Sequence, residues 1–290
     1  MLAETLLTGL TLGGMYALLA MGLTLQYGVA RIMNLSYGEL LVAAAFAALF
    51  LFTGLGVDPL SALILVLPAA MLLSWLVYRL LMAPLVRRAA SRGALEVDTI
   101  LATFGLLFVV QGVMLALFGG AYFSYSFLAV PVDIFGATVA ANRLLALAVA
   151  AVAGIALYLG LTRTRIGTAV RAVAVDPVAA QLVAIDVRAI AALAFGLGGA
   201  LVATGGVLVS MFLTFNANIG VVFTMKALIV VIMGGVGNLL GCLVAGLLLG
   251  LTETFVATWI DPGLTLAATY IIFLTVLLAR PQGLLGGSGR

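Results

Sequence analysis

The chain alternates long apolar runs with short polar breaks. The apolar windows lie near residues 5–29, 38–53, 60–82, 97–118, 143–162, 189–213, 222–234, 239–258 and 264–279. Most approach the roughly 20 residues that a transmembrane helix needs, whereas strands of a membrane β-barrel alternate over about 10 residues. The pattern therefore predicts an all-α, polytopic transmembrane helical bundle of about eight to nine segments, forming one domain over residues 1–290. Windows 38–53 and 222–234 are short, which indicates broken or re-entrant helices.

Composition supports a membrane protein and excludes several chemistries. The chain is 65% hydrophobic and 8% charged, against about 25% charged in soluble domains. It has no histidine, one cysteine (Cys242), and no nucleotide-binding loop of the GxxxxGK[ST] type. We therefore predict no catalytic, cofactor-binding or metal-binding residues in this chain, and no nucleic-acid partner.

Arginine positions predict the orientation of the chain in the membrane. They cluster after the third window, around residues 163–188 and after the last window: Arg79, Arg87, Arg88 and Arg92; Arg163, Arg165, Arg171 and Arg188; Arg280 and Arg290. With nine crossings and an external N-terminus, all three groups lie on the cytoplasmic side, as the positive-inside rule requires. We expect the N-terminus outside and the C-terminus in the cytoplasm.

The stretch IMNLSYGEL (32–40) breaks the apolar pattern after the first window. We expect Asn34 and Ser36 to satisfy backbone groups freed by a turn, with Tyr37 beside them. Gly38 is expected to permit the tight turn. Glu39 falls at the start of the next helix, where its charge meets the positive end of the helix dipole. These residues are candidates for the translocation path or for a broken helix end.

Other polar residues interrupt later windows. Ionisable groups at membrane depth usually face a pathway or a partner, so Asn216, Asn218 and Lys226 join the same candidate set. The simplest alternative has Lys226 extending to the outer surface and Glu253 lying at the outer interface. Sequence spacing gives no support for an ion pair between Lys226 and Glu39.

Glycine spacing predicts close helix packing. The pairs are Gly9 and Gly13, Gly237 and Gly241, and Gly246 and Gly250, at the separation that lets helix backbones touch. Packing inside one bundle is the expected use, and a dimer seam is the alternative.

Two stretches of the chain are similar to each other. LGGMYALLAMG (12–22) is similar to LGGALVATGGV (197–207), and the predicted spans run in opposite directions, as in an inverted repeat.

Residues 163–188 form the one sizeable loop predicted on the cytoplasmic side. Asp176 before Pro177 is a helix-start signal, since the carboxylate caps free N–H groups and proline at the first helical position loses no needed donor. The helix is expected to reach about Ile185, with Val178, Leu182 and Ile185 on one face. It is too short to be stable alone, so it is either an ordinary interfacial helix or a docking element for a cytoplasmic partner.

Four blocks in order resemble the permease subunits of branched-chain amino-acid ABC importers, of the LivH type. They are GLTLGGMYALLAMGLTLQYGVARIMNLSYGEL (9–40), RTRIGTAVRAVAVDPVAAQLVAID (163–186), GVVFTMKALIVVIMGGVGNLLGCLVAGLLLGLTE (220–253) and ARPQGLLG (279–286). The resemblance implies a bacterial inner-membrane permease that assembles with a second related permease, two cytoplasmic ATP-binding subunits and a periplasmic solute-binding protein. ATP would be bound by those partners, and this chain would contact lipid.

The resemblance also implies a segment that couples to the ATPases. It corresponds to Ala174, Asp176, Ala179, Ala180, Ala184 and Ile185, with Pro177 at the helix start. The family usually has glycine where this chain has Ala184, so the end of the helix is expected to differ. It usually has histidine where this chain has Tyr37, which removes a group titrating near neutral pH.

The resemblance leaves the solute open. Related permeases carry branched-chain amino acids, other amino acids, urea or short amides, or aromatic acids, and specificity rests largely on the binding protein. The alternative function is a stand-alone secondary transporter or channel, with Glu39 and Lys226 as coupling-ion groups.

Overall fold

The computed structural model describes residues 2–89, 91–134 and 137–286, so Arg290 lies outside the described residues. The helices are α1 (Leu2–Ala30), α2 (Tyr37–Leu55), α3 (Pro59–Val77), α4 (Ala83–Arg88), α5 (Arg92–Phe118), α6 (Ala141–Arg163), α7 (Arg165–Val175), α8 (Pro177–Leu182), α9 (Val187–Ser210), α10 (Gly220–Gly234), α11 (Leu239–Trp259) and α12 (Thr265–Ala279). Strands β1 (Pro131–Ile134) and β2 (Ala137–Ala140) form an antiparallel hairpin. A π-helical turn at Tyr78–Met82 joins α3 to α4, and a 3-10 turn at Pro262–Leu264 leads into α12.

The predicted all-α class is confirmed. Within the described residues, eight helical stretches are long and apolar enough to cross a membrane. The expectation that the second segment is short was wrong, because α2 has 19 residues. The expectation for window 222–234 is confirmed, since α10 has only 15 residues.

Helix directions show that the chain crosses the bundle once more between α9 and α11. Both α9 and α11 pack antiparallel to α1, as four pairs of neighbours show. They are Gly9 with Leu251 and Thr24 with Cys242 for α11, and Leu19 with Gly205 and Gln26 with Phe195 for α9. Since α9 and α11 run the same way, residues 211–238 must return across the bundle between them. The chain ends therefore lie at opposite faces, here named face A, where α1 begins, and face B, where α1 ends.

Glycines bring α1 and α11 into backbone contact. A Cβ atom at Gly13 would lie 2.7 Å from the Cα of Leu247 and 2.9 Å from the carbonyl oxygen of Gly246. Gly9 and Gly250 meet similar backbone neighbours, so two of the three predicted glycine pairs pack inside the bundle. The third does not act as a pair, because Gly237 sits in the turn before α11 with a φ of 87° and open space beside it.

The two similar sequence blocks occupy matching places in the fold. They lie in α1 and α9, which are antiparallel, and each helix is followed by a non-helical break, at 31–36 and 211–219. In each break an asparagine Oδ1 accepts a hydrogen bond from the N–H two residues later, at 3.1 Å from Asn34 to Ser36 and 3.1 Å from Asn216 to Asn218. The helices that follow, α2 and α10, begin side by side. This arrangement is that of an inverted repeat.

The described arginines of the three predicted groups follow elements that end at face B. The Tyr78 ring, after α3, lies 5.6 Å from the ring of Phe195 near the start of α9. The Arg31 side chain at the end of α1 donates to the carbonyl of Ala174 in α7 at 3.1 Å. The segment after α12 returns to the end of α10, where the N–H of Leu284 donates to the carbonyl of Met233 at 2.7 Å. Charge is therefore asymmetric between the two faces.

Candidate functional site

Side-chain hydrogen bonds hold the break between α1 and α2. The Asn34 amide, 1% exposed, donates to Gln26 Oε1 at 3.1 Å, and Gln26 donates in turn to the carbonyl of Phe195 at 3.0 Å. Asn34 Oδ1 also accepts from the Ser36 hydroxyl at 2.7 Å. The chain reverses at Arg31, whose φ is 56°. The polar side chains of the break thus fix the start of α2 against α1 and α9.

Gly38 serves a different purpose from the one expected. It lies in the first turn of α2 rather than in the reversal, and a Cβ atom there would overlap the carbonyl oxygen of Gly220. Its N–H donates to Thr224 Oγ1 at 2.8 Å. The tight-turn interpretation was wrong, because glycine is needed here for the close approach of α2 and α10. Beside it, the Tyr37 hydroxyl donates to the carbonyl of Gly198 at 3.1 Å.

Glu39 is a buried carboxylate at the meeting point of two helix starts. It is 0% exposed and lies in the first turn of α2, as expected. Its carboxylate rests against Gly220, the first residue of α10, so closely that a Cβ atom there would overlap it. Among the described residues neither carboxylate oxygen has a hydrogen-bond partner. The positive ends of two helix dipoles therefore face this group, while direct donors do not.

A second buried carboxylate is fully bonded. Glu253 Oε2 lies 2.8 Å from Lys226 Nζ and accepts from the Tyr16 hydroxyl at 2.8 Å, while Oε1 accepts from Thr269 at 2.6 Å. Lys226 also donates to the Tyr16 hydroxyl at 2.7 Å. This cluster, here named the ion-pair network, joins α10, α11, α1 and α12.

The ion-pair network corrects two expectations. The Lys226 side chain, 15% exposed, pairs with Glu253 instead of extending to the outer surface. Glu253 is 5% exposed in the bundle and does not lie at an interface. Sequence reasoning missed Tyr16 and Thr269. Tyr16 is a polar aromatic residue in the middle of the first apolar window, which was the one available signal.

The side chains of Asn216 and Asn218 do not bond to Glu39. Asn218 is exposed, and its Oδ1 accepts from Gln111 Nε2 at 2.8 Å. Asn216 is partly buried and bonds within its own turn. Both belong to the return segment that leads into α10, so they shape its start.

The predicted start of α8 is confirmed in atomic detail. Asp176 Oδ1 accepts from the N–H groups of Val178 at 2.9 Å and Ala179 at 3.1 Å, with Pro177 at the first helical position. The helix ends at Leu182, short of the expected Ile185. Ala184 has a φ of 60°, a left-handed conformation that favours glycine.

An apolar patch faces outward around α8. Ala180 is buried against the bundle, whereas Val175 and Leu182 are each 84% exposed, Val183 is 70% exposed and Val178 is 68% exposed. We name these four exposed residues the apolar patch. A cavity of about 800 Å³ lies beside it at face B, lined by Arg31 and Arg171 among others. The short helix therefore docks on the chain through one small residue and leaves its larger apolar side chains free.

The described residues contain no cluster of three or more histidine, cysteine or carboxylate side chains that could hold a metal ion. Cys242 is buried, and its Sγ lies 3.0 Å from the Thr24 hydroxyl.

Comparison with known proteins gives one consistent family. Residues 5–280 match the family described as branched-chain amino acid transport system / permease component. The chain is 30% identical to the high-affinity branched-chain amino acid transport system permease protein BraD of Pseudomonas aeruginosa, covering 98% of this chain and 95% of the relative. It is 26% identical to the permease protein LivH of Salmonella typhimurium, over 98% and 95%. It is 25% identical to the probable LivH of Methanocaldococcus jannaschii, over 93% and 88%.

No solved structure matches the chain. The family match spans nearly its full length, including the break before α2, the α7–α8 segment and the ion-pair network. The chain therefore belongs to the family of branched-chain amino acid transport system permease components.

Proposed function

We propose that this chain is the membrane-spanning subunit of an ATP-driven importer for branched-chain amino acids, and that it forms the translocation path with a second, related permease. The observation that carries the proposal is the match over nearly the full length to permeases named for this transport, together with eight described helices that are long and apolar enough to cross a membrane. In this proposal two cytoplasmic ATP-binding subunits supply the energy and a periplasmic protein delivers the solute.

The orientation follows from charge. The described arginines of the three groups follow elements that end at face B, so face B is cytoplasmic under the positive-inside rule. The N-terminus is then outside and the C-terminus inside, in a bacterial inner membrane. The β1–β2 hairpin and the loop before it, at face A, are available to the binding protein.

The apolar patch is the docking surface for an ATPase. Its residues surround a capped helix at face B, and exposed apolar clusters beside polar rims are typical of interaction sites. Asp176 and Pro177 fix the direction of the helix, and Ala180 holds it on the bundle. The segment that carries the patch is also bonded to α1, since Arg31 donates to the carbonyl of Ala174.

A stand-alone secondary transporter or channel is the competing function, with Glu39 and Lys226 as the ionisable groups that would bind a coupling ion. Lys226, however, is paired with Glu253, and both carboxylate oxygens of Glu253 accept hydrogen bonds, which favours a structural role for this pair. Proteoliposomes containing this chain alone, with imposed ion gradients, discriminate the two functions. Gradient-driven leucine uptake without ATP would support the secondary transporter and contradict the importer.

A further inference from the structure

The starts of α2 and α10 meet beside the carboxylate of Glu39. The N–H of Gly38 in α2 donates to Thr224 of α10 at 2.8 Å, and Gly38 and Gly220 are in backbone contact. Glu39 lies between them, 0% exposed. Helix N-termini carry partial positive charge and leave N–H groups without intrahelical partners.

Comparison of the two buried glutamates shows that Glu39 lacks the hydrogen-bond partners that Glu253 has. Glu253 accepts hydrogen bonds from Tyr16, Lys226 and Thr269. Both oxygens of Glu39 lack a donor among the described residues. A buried carboxylate without donors is costly, and such a group in a membrane bundle points to a donor that comes from outside the chain.

We propose that Glu39 receives the ammonium group of an amino-acid substrate as the substrate passes between α2 and α10. This assignment rests on the proposed function. The first turn of α10 lies directly against Glu39. The N–H groups of Val222 and Phe223 donate to the carbonyl of Ile219, so those of Gly220 and Val221 are the ones that can bind the substrate carboxylate while Glu39 binds the ammonium. A carboxylate beside a helix N-terminus is complementary to a zwitterion.

A divalent metal ion is a poorer occupant of this site. Ca²⁺ takes about six to eight oxygen ligands and Mg²⁺ about six, whereas the described residues provide no cluster of three metal-ligating side chains. An ammonium group needs only one carboxylate to satisfy its charge, together with nearby carbonyl or hydroxyl oxygens.

The site is closed in this structure, and its opening requires α2 and α10 to separate. Their contact is made by the glycines at positions 38 and 220 and by the Thr224 hydroxyl. Few groups thus hold the two helix starts together. Separation of these starts exposes Glu39, so the described conformation is the closed one.

The first test uses the complete importer in proteoliposomes and compares Glu39→Gln with the matched control Glu96→Gln, which changes an exposed carboxylate on α5. Glu39→Gln is expected to lower ATP-dependent leucine uptake by about tenfold or more, the loss expected for one charge-assisted hydrogen bond. Glu96→Gln is expected to match the wild type. Equal uptake by wild type and Glu39→Gln overturns the assignment alone, whereas absence of uptake by the wild type overturns the proposed function with it.

The second test uses only the wild-type protein, so its outcome does not depend on whether a variant folds. The melting temperature of the wild-type permease–ATPase complex, without binding protein, is measured with leucine, with 3-methylbutylamine, which lacks the carboxylate, and with 4-methylpentanoate, which lacks the ammonium. Leucine and the amine are expected to raise the melting temperature, and the acid is not. Stabilisation by the acid to the same extent, or by K⁺ or Na⁺ alone to the extent of leucine, overturns the assignment.

Discussion

Lys226 Nζ lies 2.8 Å from Glu253 Oε2, and this contact joins α10 to α11 inside the bundle. Tyr16 from α1 and Thr269 from α12 complete the bonding of the carboxylate. Although α10 is only 15 residues long, it buries apolar side chains such as Phe223 and Val230 in the core, and the ion pair adds a polar contact that fixes its position. The start of α10 is thereby held against Glu39.

Removal of one charge from the pair is expected to destabilise the protein strongly. Lys226→Met leaves Glu253 as an uncompensated buried charge, which costs about 3–5 kcal/mol of the free energy of unfolding. The double variant Lys226→Met/Glu253→Leu removes both charges and is expected to be more stable than either single variant. The measurement is a double-mutant cycle: the melting temperature of the purified complex in detergent is compared among the wild type, the two single variants and the double variant.

The control for this cycle is Glu96→Leu, which removes an exposed carboxylate on α5. It is expected to leave the melting temperature nearly unchanged. Additive losses in the double variant would mean that Lys226 and Glu253 do not interact, and would refute the network.

The glycine contact between α1 and α11 gives a second prediction. Gly13→Ala places a methyl group 2.7 Å from the Cα of Leu247, so the two helices must move apart. We expect a marked drop in melting temperature and in the yield of assembled complex. Gly112→Ala is the matched control, because nothing lies within 4 Å of its Cβ position on α5. It is expected to leave the free energy of unfolding unchanged or to raise it by about 0.5–1 kcal/mol. Similar behaviour of both variants would contradict the packing.

The apolar patch gives a third prediction. Leu182→Ser removes an 84% exposed apolar side chain at face B and is expected to lower co-purification of the ATPase subunits without altering the melting temperature of the permease itself. Val130→Ser, at the opposite face and 58% exposed, is the control and should leave ATPase binding intact. Undiminished ATPase binding by the Leu182 variant would exclude this residue from the docking surface.

Ala184 gives a fourth prediction. Its φ of 60° costs an alanine roughly 1–2 kcal/mol, so Ala184→Gly is expected to raise the melting temperature slightly. Ala179→Gly, in the interior of α8, is expected to lower it, since glycine costs about 0.5–1 kcal/mol in a helix. A fall in both variants would show that the left-handed conformation does not strain this chain.

Features set by local sequence were predictable. The apolar windows located the membrane helices, and the Asp176–Pro177 pair located the start of α8, because capping depends on residues that are neighbours in the chain. The break at Asn34 followed from polar residues in an apolar run. The family resemblance singled out position 184, and the structure gives Ala184 a left-handed conformation, which glycine adopts more readily.

Features set by helix-to-helix contact were not predictable. Lys226 and Glu253 are 27 residues apart, and their pairing depends on which faces of α10 and α11 meet. Each residue alone has an ordinary interfacial interpretation. Gly38 looked like a turn residue because a glycine after a break serves a turn and a close helix contact equally well. Only the position of Gly220 distinguishes the two.

The central claim is that this chain is the membrane subunit of an ATP-driven amino-acid importer. The most direct measurement is uptake of radiolabelled leucine by proteoliposomes that contain the chain with its partner permease, ATPases and binding protein, compared with the chain alone. The account predicts accumulation that requires ATP, the binding protein and both permeases, and no accumulation by the chain alone under any ion gradient. Leucine accumulation by the chain alone, or ATP-independent accumulation by the complete assembly, would contradict it.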